Sequence, residues 1–351
     1  MTRFSPVNGI LSHISYHDPA SGKIRFLFVF IFLLVFTVLF HQIPGASAGK
    51  NQGFADWLKD FKEEAVSVGI SEKTVEKALA GIEYNKKIIK LDRNQPEFKL
   101  SLFEYLNKMV SRARIKKGRE KLAADRDLLE KIEKSYGVSP HYLIALWGME
   151  SYYCRYTGKF PILEALASLS YDPRRSQFFK KELLAALDLL DRGSILLADM
   201  KGSWAGALGC LQFLPSVFKE YGVDFNGDGR IEIFKAGGDL FASAAFYLKD
   251  SGWQPGGRWG GEVLVPWNLD RKLLAGSPPR PVSFWLKKGI KFKNREKRPK
   301  KNLKASLIQP DTLEKRYFLT FTNFNVLLKW NRSDYYAIAT GILADRIRGG
   351  I

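Results

Sequence analysis

Between residues 49 and 251 apolar positions recur at three- and four-residue spacing, the period of helices with one buried face. The pattern predicts helices over 55–66, 71–83, 99–116 and 126–136, with Gly137 as a stop. Ser139-Pro140 reads as an N-cap followed by proline at the first helical position, opening a helix that reaches about Tyr153. Further helices are predicted over 176–192, ending before Gly193, and over 236–249. The texture changes at 252–318. Gly and Pro become dense there, and the runs Glu262–Val265, Val282–Leu286 and Ala305–Ile308 read as strands. A last helix spans Ser333–Ile347, with Tyr336, Thr340, Leu343 and Ile347 at helical spacing. The fold class is therefore mainly α (α+β), with a small strand-containing region.

Ahead of the helices, residues 26–40 (FLFVFIFLLVFTVLF) carry no charge. Lys23 and Arg25 precede them and Ala46-Ser47-Ala48 follows. A basic start, a short apolar run and a small-residue site make a secretory signal, cleaved after Ala48. The run is short for a membrane span of about 20 residues. The 25 residues ahead of it are long for a signal, so an uncleaved N-terminal anchor is the alternative. No Cys lies near the cleavage site, which argues against a lipoprotein anchor. Either reading exports residues 49–351 to the bacterial periplasm, soluble or anchored to the inner membrane.

The chain has 55 Lys+Arg against 36 Asp+Glu, a formal charge of +19 that calls for an anionic partner. Export makes nucleic acid an unsuitable one and leaves a cell-wall polymer or a membrane surface. Residues 287–304, with ten Lys/Arg and one Glu, read as a solvated basic loop that could contact such a surface. Two Cys exclude a disulfide scaffold or a Cys-built zinc site. Four His, none in HExxH spacing, argue against a histidine metal centre.

Glu150 breaks two local rules. It shares one helix face with Leu143, Trp147 and Cys154, so it belongs to the side that should be buried. It also lies near the helix C-terminus, where negative charge is disfavoured by about 0.3–1 kcal/mol. Burial beside Trp147 would favour the protonated carboxyl, which a glycosidase general acid requires. An ion pair with an Arg or Lys is the plain alternative. The segment KGSWAGALGCLQFLP (201–215) adds three glycines, which let backbone approach a ligand, with Trp204 and Gln212 as an aromatic face and an amide suited to sugars. A Gly-rich structural turn is the alternative there.

The runs GMESYY, ILEALASLSYDPRRSQFFKKEL and GSWAGALGCLQFLPSVFKEYGVDFNGDG, with FTNFNVLLKWNRSDYYAIA near the end, resemble the lytic murein transglycosylase B family over about residues 50–350. The resemblance implies a lysozyme-like helical core. It implies cleavage of peptidoglycan between N-acetylmuramic acid and N-acetylglucosamine, with a 1,6-anhydromuramoyl end formed in place of water addition. Glu150 matches the family's single catalytic acid/base. Ser203 and Gln212 match polar positions of the glycine-rich loop that face the sugars. Asn331 and Tyr336 match the Asn-x-Ser-x-x-Tyr site lining the cleft, and Phe178 matches an aromatic position after the paired arginines. Glu164 and Asp172 are further carboxylates that nothing in the sequence places. The implied domains are 49–125 (N-terminal helices), 126–251 (catalytic core), 252–318 (small β region) and 319–351 (a C-terminal helical segment completing the cleft). A hydrolytic muramidase or a non-catalytic peptidoglycan-binding scaffold on the same fold are the competing functions. Glycan strands are the expected partner, with cell-wall synthases as candidates, and the chain is expected to act as a monomer.

Two features modify the resemblance. Cys154 and Cys210-Leu211 depart from the family pattern on both sides of the implied cleft; a Cys154–Cys210 disulfide is one reading, two buried thiols the other. In DFNGDGRIE, Asp224, Asn226 and Asp228 occupy positions 1, 3 and 5 of an EF-hand loop, with the Arg230 carbonyl at 7. Position 12 is Lys235, not Glu. The resemblance implies that a later Asp, here Asp239, closes an EF-hand-like loop over 224–239 around a structural Ca²⁺, with no cofactor for catalysis. A metal-free Asx-rich turn is the alternative.

Overall fold

The computed structural model describes residues 53–94, 100–274, 278–293 and 299–349. The expected signal or anchor at 1–48 lies outside them, as do residues 294–298 of the basic loop. Helices α1 (Phe54–Ser67), α2 (Glu72–Leu79), α3 (Lys86–Arg93), α4 (Leu102–Met109), α5 (Arg112–Ala124) and α6 (Arg126–Tyr136) come first. They lead to α7 (Pro140–Ser151), β1 (Phe160–Pro161), α8 (Ile162–Tyr171), α9 (Ser176–Asp191), β2 (Lys201–Gly202), α10 (Pro215–Tyr221) and α11 (Gly238–Asp250). The smaller region holds β3 (Gly260–Leu264), β4 (Arg280–Pro281), α12 (Val282–Lys287), β5 (Lys291–Phe292), β6 (Lys304–Ile308) and β7 (Tyr317–Thr320). The chain then returns to the helical body through α13 (Thr322–Trp330) and α14 (Asp334–Arg348).

Two expectations need correction. The single helix expected over 99–116 is two. Ser101 forms a capping box with Glu104 at the start of α4, and Ser111 caps α5 by accepting from the Arg114 N–H. A second cap inside an apolar-periodic stretch restarts the helix. Val282–Leu286, expected as a strand, is the helix α12. Val282 and Trp285, three apart, face the small core, and Trp285 Nε1 donates to the Ala305 carbonyl at 2.9 Å. A five-residue apolar run fits either period, so the packing decides. Helices α8 and α10 have no counterpart in the spacing, and α3 and α13 fall in segments expected to be helical without bounds of their own.

The five-stranded sheet has the order β4-β6-β7-β3-β5, and each neighbouring pair is antiparallel. Its core holds Val263, Trp285, Leu307, Leu319 and Phe321. The larger core belongs to the helices, with α7 in its centre. Every residue of α7 from Tyr142 to Met149 is buried, so burial is not confined to the single face that the spacing suggested, and the helix is one apolar on all sides. Trp259, just before β3, lies on Gly341 of α14, where any Cβ would strike the indole. This contact ties the sheet to the helices. The paired Arg174 and Arg175 both engage Asp92, itself only 4% exposed, and Arg93 pairs with Asp172 at 2.6 Å. The arginine motif thus staples α3 onto the α8–α9 corner.

Candidate active site

Glu150 is the penultimate residue of α7 and half-buried. The helix ends at Ser151, so Cys154 is not on its face as the spacing suggested. Tyr152, Tyr153 and Cys154 instead follow one another at φ of 51°, 63° and 64°. Left-handed backbone costs bulky residues about 1–3 kcal/mol each, and it persists only where surroundings over-determine it. They do so here. Ser151 Oγ donates to the Cys210 carbonyl at 2.6 Å and accepts from the Cys154 N–H at 2.8 Å. Tyr153 Oη donates to the Arg114 carbonyl at 2.7 Å, and the Arg114 guanidinium lies over the Tyr152 ring. Cys154 and Cys210 are joined in a disulfide with Cα atoms 4.7 Å apart. The end of α7 is thereby fastened to the glycine-rich loop.

That loop is braced from within. Ser203 Oγ accepts from the Ala205 and Ala207 N–H groups, and the Cys210 N–H donates to the Ile233 carbonyl. Gln212 has φ of 52°, and its Nε2 donates to the carbonyls of Thr157 (3.0 Å) and Gly209 (2.8 Å). Ser203 and Gln212 are both half-buried.

Glu150 Oε1 accepts two hydrogen bonds from the far end of the chain. Tyr336 Oη donates at 2.5 Å and Trp330 Nε1 at 2.8 Å. Burial first, then the charge of Glu150, push the Tyr336 phenol well above the ordinary tyrosine range, so it remains a donor at any physiological pH. Phe213 of the loop and Tyr247 of α11 pack on the Trp330 ring, with centroids 5.4 and 5.2 Å away. Trp330 therefore joins Glu150, the glycine-rich loop and α11. Sequence reasoning missed it. The signal was an indole directly before Asn331, inside the run already matched to the cleft.

The other expected site residues divide. Tyr336 meets Glu150. Asn331 is exposed at the C-cap of α13, next to Trp330, and its Oδ1 accepts from the Ser333 N–H. Phe178, in α9, is half-buried and packs edge-on to Phe179. Glu164 accepts from Asn85 Nδ2 at 2.5 Å, and Asp172 holds Arg93. Both of these carboxylates are committed to the N-terminal helices.

In the 224–239 loop, Asp224 accepts from the N–H groups of Gly227, Asp228 and Gly229, and Asn226 and Asp228 bond each other. Asp239 does close the loop, but through the N–H groups of Phe225 and Glu232, at 2.9 Å each. Lys235, in place of the twelfth-position Glu, pairs with Glu232. Among the described residues no three His, Cys, Asp or Glu side chains converge on a point that would hold a metal. The oxygen donors suit calcium by chemistry, but their carboxylates would have to turn from backbone N–H groups toward the ion.

The family profile described as Transglycosylase SLT domain matches residues 53–345. The chain is 33% identical to the membrane-bound lytic murein transglycosylase B of Escherichia coli (strain K12), over 63% of this chain and 60% of that protein. It thus spans 60% of the length of that curated relative. Its fold is similar to SltB3 of Pseudomonas aeruginosa in complex with NAG-anhNAM-pentapeptide, with a TM-score of 0.81 and 37% identity, covering 86% of this chain and 80% of that one. It is similar also to the Escherichia coli lytic transglycosylase Slt35 in complex with calcium, with a TM-score of 0.71 and 27% identity, covering 83% and 92% of the two chains.

Proposed function

The chain belongs to the transglycosylase SLT domain family, and on that premise we propose that it is a lytic transglycosylase of peptidoglycan, cutting the MurNAc–GlcNAc bond with formation of 1,6-anhydromuramoyl ends. The observation that carries the reading is the pair of donors, Trp330 and Tyr336, that hold the Glu150 carboxyl. The SltB3 complexes with NAG-anhNAM-pentapeptide and with NAG-NAM-pentapeptide support it.

Glu150 serves twice. As an acid it protonates the glycosidic oxygen, and the C–O bond breaks toward an oxocarbenium-like state stabilised by the substrate's own N-acetyl group. As a carboxylate it then takes the proton from the C6 hydroxyl, whose oxygen bonds to C1 and closes the anhydro ring. The intramolecular nucleophile outcompetes water through its high effective concentration. Tyr336 and Trp330 are neutral donors that keep Oε1 in one position through both steps. Ser203, Gln212, Asn331 and Phe178 line the sugar path in this reading. The 224–239 loop would take a structural Ca²⁺ through Asp224, Asn226, Asp228, the Arg230 carbonyl and Asp239. Residues 1–48 would direct export to the periplasm, where glycan strands, and cell-wall synthases as partners, are met.

The test is a mass-spectrometric digest of purified peptidoglycan with residues 49–351 and with Glu150→Gln. Muropeptides one water lighter than hydrolysis products, lost with the variant, are expected. Full-mass reducing ends would make the protein a muramidase. Binding to the wall without release would make it a scaffold.

A further inference from the structure

The distal tip of the small sheet does not take part in the Glu150 site. Trp267 is 97% exposed there, and Leu264 and Leu286 are exposed as well, at 54% and 37%. The chain segments that carry them adjoin one another. The turn carrying Trp267 begins at Pro266, which abuts Gly289: a Cβ on that glycine would sit 3.2 Å from the proline ring. Gly289 donates its N–H to the Leu286 carbonyl, and Leu264 pairs in register with Lys291. Val265 and Leu269 pack into the small core on either side of the turn, so the indole is forced outward. The exposure of Trp267 is therefore built in.

Cations surround this apolar tip. Lys287, Lys288 and Lys291 are exposed, and no ion pair engages them among the described residues. Lys293, by contrast, is paired with Glu262. The sequence from Leu264 to Lys304 holds thirteen Lys/Arg and two acids, Asp270 and Glu296. Asp270 caps its own turn by accepting from the Lys272 N–H. Strand β3 leaves the helices at Trp259 and Gly260 and ends at Leu264, about 13 Å further on at about 3.3 Å per residue.

We propose that Trp267, Leu264 and Leu286, collared by Lys287, Lys288 and Lys291, form a docking surface for an anionic lipid bilayer. An indole settles at the headgroup level, and lysines around it meet the lipid charge. A glycan would favour the lysines and stack on the indole but gives no role to the exposed Leu264 and Leu286. Docked in this way, the enzyme works on wall material close to the membrane while the helices that carry Glu150 stay off the lipid.

The experiment is vesicle co-sedimentation with residues 49–351, which leave out the apolar 26–40 run. Phosphatidylglycerol/phosphatidylethanolamine vesicles are compared with phosphatidylcholine vesicles. Selective, salt-sensitive binding to the anionic vesicles is expected, with a blue-shifted emission change that Trp267→Ala removes. The triple variant Lys287→Gln/Lys288→Gln/Lys291→Gln should bind about a hundredfold more weakly. All these side chains are exposed, so the variants should keep the wild-type melting temperature, and their activity on solubilised glycan should not change. Absence of vesicle binding, or equal binding by wild type and both variants, overturns the proposal. So does binding to purified cell-wall sacculi, without binding to vesicles, that depends on the same residues.

Discussion

Removing the Cys154–Cys210 link by a Cys154→Ala/Cys210→Ala double substitution tests whether the disulfide holds the end of α7 to the glycine-rich loop. The two residues are 56 apart in sequence. Closing a loop of that length removes about 14 cal/mol/K from the unfolded chain, or about 4 kcal/mol at room temperature. For about 300 ordered residues, each contributing about 2.1 cal/mol/K to the unfolding entropy, this is a fall of about 6 °C in melting temperature. The loss should not be larger, because the Ser151 hydrogen bond to the Cys210 carbonyl survives the substitution. The assay is a thermal melt of oxidised wild type, wild type in reductant and the double variant. The two disulfide-free samples should coincide, below the first. Equal melting temperatures in all three, or thiol labelling of both cysteines in unreduced, denatured protein, would refute the reasoning.

Tyr336→Phe removes one of two hydrogen bonds to the Glu150 carboxyl; a bond to a charged partner is worth about 1.5–3 kcal/mol, so kcat/KM on peptidoglycan should fall by about one to two orders of magnitude. A value within twofold of wild type would remove Tyr336 from the catalytic argument. Calcium added to chelated protein should raise the melting temperature, by about 2.7 kcal/mol of stability at a hundredfold excess over Kd, and Asp228→Ala should abolish the effect; an unchanged melt would leave the 224–239 loop a metal-free turn. At Glu262, burial works to raise the carboxyl, but Arg316 and Lys293 outweigh it and hold it below the usual range. A depressed carboxylate contributes stability above its unfolded pKa and loses it as pH falls through the folded one. Glu262→Gln should thus destabilise the protein at neutral pH and narrow its gap to wild type below about pH 4, as read from denaturant midpoints across pH.

Much of the helical body was legible because its helices bury one face and begin at polar caps. Ser139-Pro140 and Gly137 mark the boundaries of α7 and α6 where the structure has them. Where packing, not period, sets the state, the sequence was ambiguous. Val282–Leu286 is short and apolar enough for either a strand or a helix, and Trp285 under Ala305 resolves it. The break at Ser111 was hidden because apolar spacing continues through it, although its hydroxyl is what starts α5.

The site divides along the same line. Glu150 could be singled out from its own helix, because a carboxylate at the end of an otherwise apolar segment violates local rules that the rest of α7 obeys. Its donors could not be, since they lie 180 and 186 residues away and are brought in by α13 and α14. Tyr336 was reachable only through the family resemblance. Trp330 stood beside it unremarked, because an indole in a helix reads as packing until its N–H is followed to an acceptor. The tight turn after Ser151 has the same character. Three left-handed residues in succession carry no glycine to announce them, and their cause is the Ser151, Tyr153 and Cys210 contacts that only the folded chain assembles. The acid is thus a local property of the sequence, whereas its orientation is a property of the topology. Substitutions that perturb Trp330 or the 152–154 turn should accordingly alter Glu150's reactivity without changing any residue that touches the sugar.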